Sequence, residues 1–211
     1  MYLMMKEQSQ MQSYSKTYDE LYSLGYHSDP DYSHSYGVIE LMFRELEFDT
    51  VLDVGASVGA AVSAINARGK QALGLEASLV AVNKAKQIDP LKRPVLWGKA
   101  TKLPFPSKDF DIVMSTDVFE HLKPEDVEQA IAECQRVARK YIVMKIASLP
   151  EQAGWGKKVG VDDLHLTQQP IFWWKDKFLR MGDEIVFENK DSFVIKLRKE
   201  ECTYTTPETL S

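Results

Sequence analysis

The run TVLDVGASVGA, residues 50–60, brings together residue types that could do chemistry on a bound small ligand. Val51, Leu52 and Val54 are the short apolar run of a central parallel strand. Gly55 and Gly59 mark a turn before Ala60, Ala61 and Val62 begin a helix. Backbone without side chains lets a ligand come close, and the amides that open a helix favour a negative group. Asp53 sits at the carboxyl end of this strand, where open α/β sheets bind their ligands. Glu76 ends the next apolar run, QALGLE, at the position where nucleotide-binding α/β folds keep an acid for ribose hydroxyls. The simpler alternative for Glu76 is a negative charge at the start of a helix over residues 78–87.

Histidine is the simplest proton acceptor near neutral pH, and the chain has four. His27 and His34 lie in HSDPDYSHSYG, residues 27–37, a polar aromatic loop suited to substrate contacts. His34 and Tyr36 are the substrate candidates there, and His27 reads as surface turn chemistry. Tyr18 and Tyr22, with Tyr14, form one stripe on a helix that Gly25 ends; the stripe serves as a core face, a lid, or both. His121 follows the apolar run FDIVMS, and His165 lies in DDLHLT ahead of a helix carrying Trp173 and Trp174. Trp155 joins the substrate candidates from the glycine-rich stretch 148–169.

These residues need a scaffold. Strand patterns at 50–54, 71–75, 95–97, 110–115 and 141–147 alternate with helical patterns, which predicts a doubly wound, mostly parallel α/β sheet. Pro124 opens a helix with Val127, Ile131, Cys134 and Val137 on one face, and Pro170 opens another that Gly182 terminates. Residues 184–187 and 192–197 read as a C-terminal antiparallel hairpin. The expected organisation is a helical lid or extension over 1–35, one domain over 36–198 with an insertion at 148–169 over the site, and a flexible tail at 199–211. Residues 1–12 are expected to be frayed.

Composition excludes several classes. With 211 residues, 44% hydrophobic and 27% charged, the chain suits one soluble domain with appendages. A net charge of −5 gives no global field for nucleic acid. Cys134 and Cys202 are too far apart for a zinc knuckle or a disulfide framework, and no run is long enough for a membrane span or a secretory signal, so the cytoplasm is expected. Asp162 and Asp163 are adjacent without further acids to complete an octahedral site, so no metal is expected.

Over residues 36–198 the chain resembles class I S-adenosylmethionine-dependent methyltransferases. The resemblance rests on VLDVGASVG (51–59), LGLEAS (73–78), LPFPSKDFDIV (103–113), STDVFEHL (115–122) and the terminal helix and hairpin, in that order. It implies a Rossmann-like sheet and S-adenosylmethionine as the cofactor. Asp53, Gly55, Ala56, Ser57 and Gly59 would surround its amino-acid moiety and Glu76 with Ala77 its ribose. Lys99, Ala100 and Thr101 would flank adenine, and Asp117 with Val118 would lie below the methionine portion. A dehydrogenase fits less well, because Ser57 and Ala60 occupy glycine positions of G-x-G-x-x-G and no second mononucleotide half follows. The family turn usually has glycine where Ser57 stands, and many members have aspartate where Lys99 stands. Serine is acceptable if that position needs no positive φ, or if its hydroxyl helps bind the cofactor.

The implied activity is methylation of a hydroxyl or amine on a small molecule under a lid built from 14–36 and 148–169. The alternatives are an RNA or protein methyltransferase and a non-catalytic binding module. His165 is the preferred base, and His121 is read mainly as structural or cofactor-adjacent. Oligomeric state has no signature in the sequence.

Overall fold

The computed structural model describes residues 15–27, 29–151 and 153–198. The expectations for residues 1–12 and for the tail lie outside the described residues. Helix α1 covers residues 15–23, and α2 is Tyr36–Glu45. The alternation then runs β1 (Thr50–Val54), α3 (Ala60–Asn66), β2 (Gln71–Glu76), α4 (Leu79–Ile88), β3 (Val95–Trp97), β4 (Phe110–Thr116), α5 (Pro124–Val137) and β5 (Ala138–Lys145). The chain closes with α6 (Trp155–Lys158), α7 (Ile171–Phe178), β6 (Glu184–Glu188) and β7 (Ser192–Lys196).

These strands form one seven-stranded sheet in the order β3-β2-β1-β4-β5-β7-β6. The β1–β2, β1–β4, β2–β3 and β4–β5 pairings are parallel, and β7 runs antiparallel to both β5 and β6. Six strands therefore point one way and β7 alone is reversed, so the expected hairpin is inserted with its second strand innermost. Leu52 and Val54 of β1 join a core with α5 and α7, while Val51 faces the opposite core with α2, α3 and α4. The strand is buried on both faces, which is why its sequence reads as an almost unbroken apolar run.

Two boundaries differ from the sequence reading. Strand β5 begins at Ala138, directly at the end of α5, because Ala138 pairs with Phe110 across an irregularity in the β4–β5 register. Helix α7 stops at Phe178, four residues short of Gly182, once Trp174 and Phe178 have buried their rings against the sheet. Among its described residues, the stretch 148–169 is irregular apart from the single turn α6. Among the described residues no helix is long and apolar enough to cross a membrane.

Helix α1 is fastened across the carboxyl end of the sheet. Asp19 accepts hydrogen bonds from the Ser78 hydroxyl (2.7 Å) and the Val80 amide (3.0 Å), and Lys84 donates to the Tyr22 carbonyl. Asp19 thus supplies a carboxylate to the start of α4, where the helix dipole favours one. Tyr22 packs on Val58 and Ala81, so the tyrosine stripe is a core face and a roof together. The loop after α1 is held by Arg93, which pairs with Asp31 and donates to the Pro30 carbonyl, and by the Ser35–Thr116 hydroxyl pair.

Candidate active site

A cavity of about 670 Å³ opens at the carboxyl ends of β1, β2 and β4, beneath α1. That volume is within the usual range for a cofactor or drug-sized ligand. The lining at the strand ends is the β1 turn, Glu76, Ala77, the loop at 98–102 and Asp117; α1 and the loop after it add Tyr18, Tyr26, His27, Tyr32 and His34 as an aromatic half, with Tyr22 bridging the two, packed on Val58 and beside Ser57.

The β1 turn is tightly made. The amides of Gly55 and Ala56 both donate to the Leu75 carbonyl, at 2.8 and 3.0 Å. Gly55 has φ +87, and a Cβ built on it would lie 2.2 Å from Cγ2 of Val118. Ser57 also has positive φ, +53, so this position does need the left-handed backbone and serine bears the strain that glycine would avoid. Its amide donates to Oε2 of Glu76 (2.9 Å), and its buried hydroxyl lies beside Tyr22 without a well-formed hydrogen bond among the described residues. Gly59 does not line the cavity. A Cβ there would meet Arg93 and Val95 at 3.0 Å, which makes its role one of packing at the start of α3.

Glu76 is buried, with the Ser78 amide donating to Oε1 (2.8 Å) as the Ser57 amide does to Oε2. A carboxylate offers about four acceptor positions, so capacity remains for a ligand hydroxyl. Burial raises the Glu76 pKa even though these amides oppose the shift. Asp53, buried at the end of β1, is pushed up to about 7, first by burial and then by the charge of Glu76. Across the cavity Asp117 has φ +54 and an ion pair with Lys145 at 2.9 Å, which fixes Val118 against Gly55. Positive φ at both Ser57 and Asp117 places backbone strain of about 1 kcal/mol each on facing walls of one cavity. Lys99 lines the cavity, in a small bridge with Lys102.

Asp53 has a consequence for stability. Its carboxyl is protonated in the folded, ligand-free protein up to about pH 7 but ionises from 3.8 when unfolded, so the folded state binds the extra proton between those values. Stability linked to Asp53 is therefore complete below pH 3.8 and declines as pH rises through about 7. Asp53→Asn is expected to abolish that decline and to gain about 2–4 kcal/mol over the native chain at pH 8. Urea unfolding at pH 5 and pH 8 checks this; an equal difference between the two proteins at both pH values would overturn it.

The histidines are placed differently from expectation. His121 lines the cavity, while His165 does not; its ring stands edge-on behind that of His121, centroids 4.8 Å apart. Nδ1 of His121 bonds the Leu164 carbonyl at 2.9 Å, and Nδ1 of His165 bonds the Leu149 carbonyl. Burial, followed by the neighbouring His165, lowers the His121 pKa to about 4. Glu120, beside it, is buried and pushed up to about 8, mainly by burial. His27 is not surface turn chemistry: it lines the cavity, has φ +48, and burial lowers its pKa to about 4.

Of the substrate candidates, Tyr18, Tyr22 and His34 line the cavity. Tyr36 faces outward and donates to the Asp31 carbonyl, and Trp155 sits one ring back, edge-on to Tyr26 with centroids 5.4 Å apart. Among the described residues none from 148–169 lines the cavity, so that stretch supports the wall from behind. Tyr26, His27 and Tyr32 carry no individual mark in the sequence; the density of aromatic and histidine residues over 26–36 is the only local signal.

Residues 52–142 match the methyltransferase-domain family. No curated protein matches the chain in sequence. Among solved structures, a Pyrococcus horikoshii protein superposes with a TM-score of 0.63 at 17% identity, covering 81% of this chain and 94% of that one. A TehB-like SAM-dependent methyltransferase from Corynebacterium glutamicum gives 0.58 at 17% identity, covering 89% and 99%. A SAM-dependent methyltransferase from Archaeoglobus fulgidus gives 0.56 at 16%, covering 76% and 93%. The fold and the match over residues 52–142 are both those of S-adenosylmethionine-dependent methyltransferases. The chain is an enzyme of that type, with S-adenosylmethionine as its methyl donor.

The cavity's own chemistry fits that donor. Glycine backbone at residue 55 meets Val118 where a side chain would not fit, and Glu76 presents spare acceptor capacity. Glu76 gives this half an acidic group suited to a cationic donor, joined by Asp53 where the pH exceeds about 7.

Proposed function

We propose that this enzyme methylates a hydroxyl or amine of a small molecule held in the aromatic half of the cavity. The observation that carries the reading is the roof: α1 and the loop after it set Tyr18, Tyr22, Tyr26, His27, Tyr32 and His34 around that half. A wall of aromatic rings latched by Asp19 and Arg93 suits a compact acceptor better than an extended polymer.

S-adenosylmethionine supplies a methyl group on an already activated sulfonium. The protein's tasks are therefore to align the acceptor and receive its proton. Glu76 and the β1 turn would hold the donor's polar parts, and Asp117 with Val118 would support its methionine portion. Of the two histidine candidates, His121 stands at the cavity wall and His165 behind it, so we assign the contact with the acceptor's proton to His121. The Leu164 carbonyl holds Nδ1–H and leaves Nε2 for that contact.

Calorimetry with S-adenosylmethionine and S-adenosylhomocysteine, followed by S-adenosylhomocysteine release against panels of small alcohols, phenols and amines, tests the reading. Binding of both, with turnover on at least one compound class and loss of turnover in His121→Ala, is expected. Turnover confined to RNA or protein fractions would replace the small-molecule assignment. Failure to bind either ligand at millimolar concentration would leave a non-catalytic module.

A further inference from the structure

Glu120, His121 and His165 each offer one ligand atom, and the three atoms lie within 4.8 Å of one another. The sequence hides this group, because His165 comes from the stretch beyond β5, far along the chain from Glu120 and His121. We propose that it is a binding site for one divalent transition-metal ion of the zinc type, set in the cavity wall and completed by a ligand from the cavity side.

The supporting bonds are those a metal site requires. A histidine ligand normally donates its second ring N–H to a carbonyl or carboxylate, which fixes the ring and frees the other nitrogen. Both histidines do so, His121 to Leu164 and His165 to Leu149, leaving two Nε2 atoms for the ion. Oε1 of Glu120 is held by the Ala147 amide at 2.9 Å, while Oε2 is buried and has no hydrogen-bond partner among the described residues. A fully buried carboxyl oxygen left without a partner is costly, and a cation is one of the few groups that would satisfy it beside two histidines.

Two histidines and a glutamate are a recognised three-ligand set for zinc with an open fourth position. Metal–nitrogen bonds of about 2.1 Å at a tetrahedral angle put ligand atoms about 3.4 Å apart, so the three side chains would draw inward by about 1 Å on loading. His121 lines the cavity and the other two do not, so the open position lies on the His121 side. The site also gives a reason for the course of the stretch behind it. The Thr167 amide bonds the Glu120 carbonyl (2.9 Å), the Thr167 hydroxyl bonds the Leu122 carbonyl (2.7 Å), and Asp163 accepts from the His165 amide (2.8 Å). These bonds fasten His165 over Glu120 and His121.

The role given to the ion rests on the acceptor reading above, whereas its binding does not. A hydroxyl at the open position would be acidified by coordination: its O–H bond breaks, the proton passes to solvent water, and the oxygen keeps the electron pair. In the loaded protein Nε2 of His121 is a ligand, so the ion replaces that nitrogen as the group in contact with the acceptor.

The test uses the full chain, stripped with a chelator and titrated with Co²⁺ and then Zn²⁺ by visible absorption and calorimetry. About one Co²⁺ per chain is expected, with the d–d bands of a four- or five-coordinate nitrogen–oxygen site that Zn²⁺ abolishes. Glu120→Gln and His165→Ala are each expected to weaken Co²⁺ binding by at least about 100-fold, since losing a ligand exceeds the 10–100-fold cost of losing a ligand's support. S-adenosylmethionine binding in both variants should stay within about threefold of the native chain, because neither residue lines the cavity. No saturable Co²⁺ or Zn²⁺ binding by the native chain would overturn the site, whether or not the variants fold. Unchanged affinity in folded His165→Ala would equally overturn it by placing the ion elsewhere. Metal binding without turnover on any small acceptor would instead count against the acceptor reading and leave the site standing.

Discussion

Gly55→Ala is expected to destabilise the protein by about 2–5 kcal/mol and to reduce S-adenosylmethionine binding below detection. The new Cβ would sit 2.2 Å from Cγ2 of Val118, far inside van der Waals contact, at a φ of +87. Left-handed backbone costs an alanine about 1–2 kcal/mol, and overpacking a well-filled contact adds about 1–3 kcal/mol. Neither wall can yield cheaply. The Gly55 amide is tied to the Leu75 carbonyl, and Val118 follows Asp117, whose own backbone is held at φ +54 by the Lys145 ion pair and by its amide bond to the Lys145 carbonyl. Denaturant unfolding and calorimetry on Gly55→Ala and on the double variant Gly55→Ala with Val118→Ala separate the two causes. The double variant should recover the steric part and keep the backbone part. A single variant of native stability and affinity would show that the turn has more room than its geometry indicates.

Gly55 also shows what a sequence can reveal about such a site. The strand, the glycine turn and Glu76 are local features: an apolar run, a missing side chain and an acid at the end of the next strand. Their arrangement follows from strand order alone, so the fold class and the donor half of the cavity are legible in the amino-acid sequence. Ser57 is only partly legible there. Its departure from glycine is visible, but only the backbone shows that it takes the left-handed conformation and leaves its hydroxyl buried. Gly59 reads as a ligand residue by its place in the motif, whereas its glycine is needed for packing against Arg93 and Val95.

The acceptor half depends on contacts between distant segments. His27 reads as a surface residue because a polar loop surrounds it in sequence; it reaches the cavity because Arg93 and Thr116 hold the following loop against the sheet. His165 reads as the base for its aromatic neighbourhood, yet the Leu149 and Asp163 bonds fix it one ring behind the wall. No periodicity encodes such a placement. The juxtaposition of Glu120, His121 and His165 is likewise a property of how the stretch 148–169 folds back, which is why residue spacing predicts no metal there.

Glu76→Gln is expected to weaken S-adenosylmethionine binding by about 100-fold while leaving the ligand-free protein as stable as the native chain, or more stable, at pH 8. The two effects have different origins. The buried carboxylate accepts from the Ser57 and Ser78 amides and stands near Asp53, whose proton affinity its charge increases. Glutamine removes a charge that burial disfavours and relieves Asp53, a gain in folding that offsets one amide facing an NH₂ group. Binding lacks that compensation. It loses the charge opposite a cationic donor and one acceptor for a ligand hydroxyl, and a charge-assisted hydrogen bond is worth about 1.5–3 kcal/mol. Glu76→Ala should behave otherwise: it leaves both amides without their acceptor, at about 1–3 kcal/mol each, and so lowers stability and affinity together. Paired calorimetry and urea unfolding of the two variants decide the matter. Equal loss of stability in both would make Glu76 a brace for the β1 turn, whereas stable Glu76→Gln with native affinity would remove it from the donor's binding groups altogether.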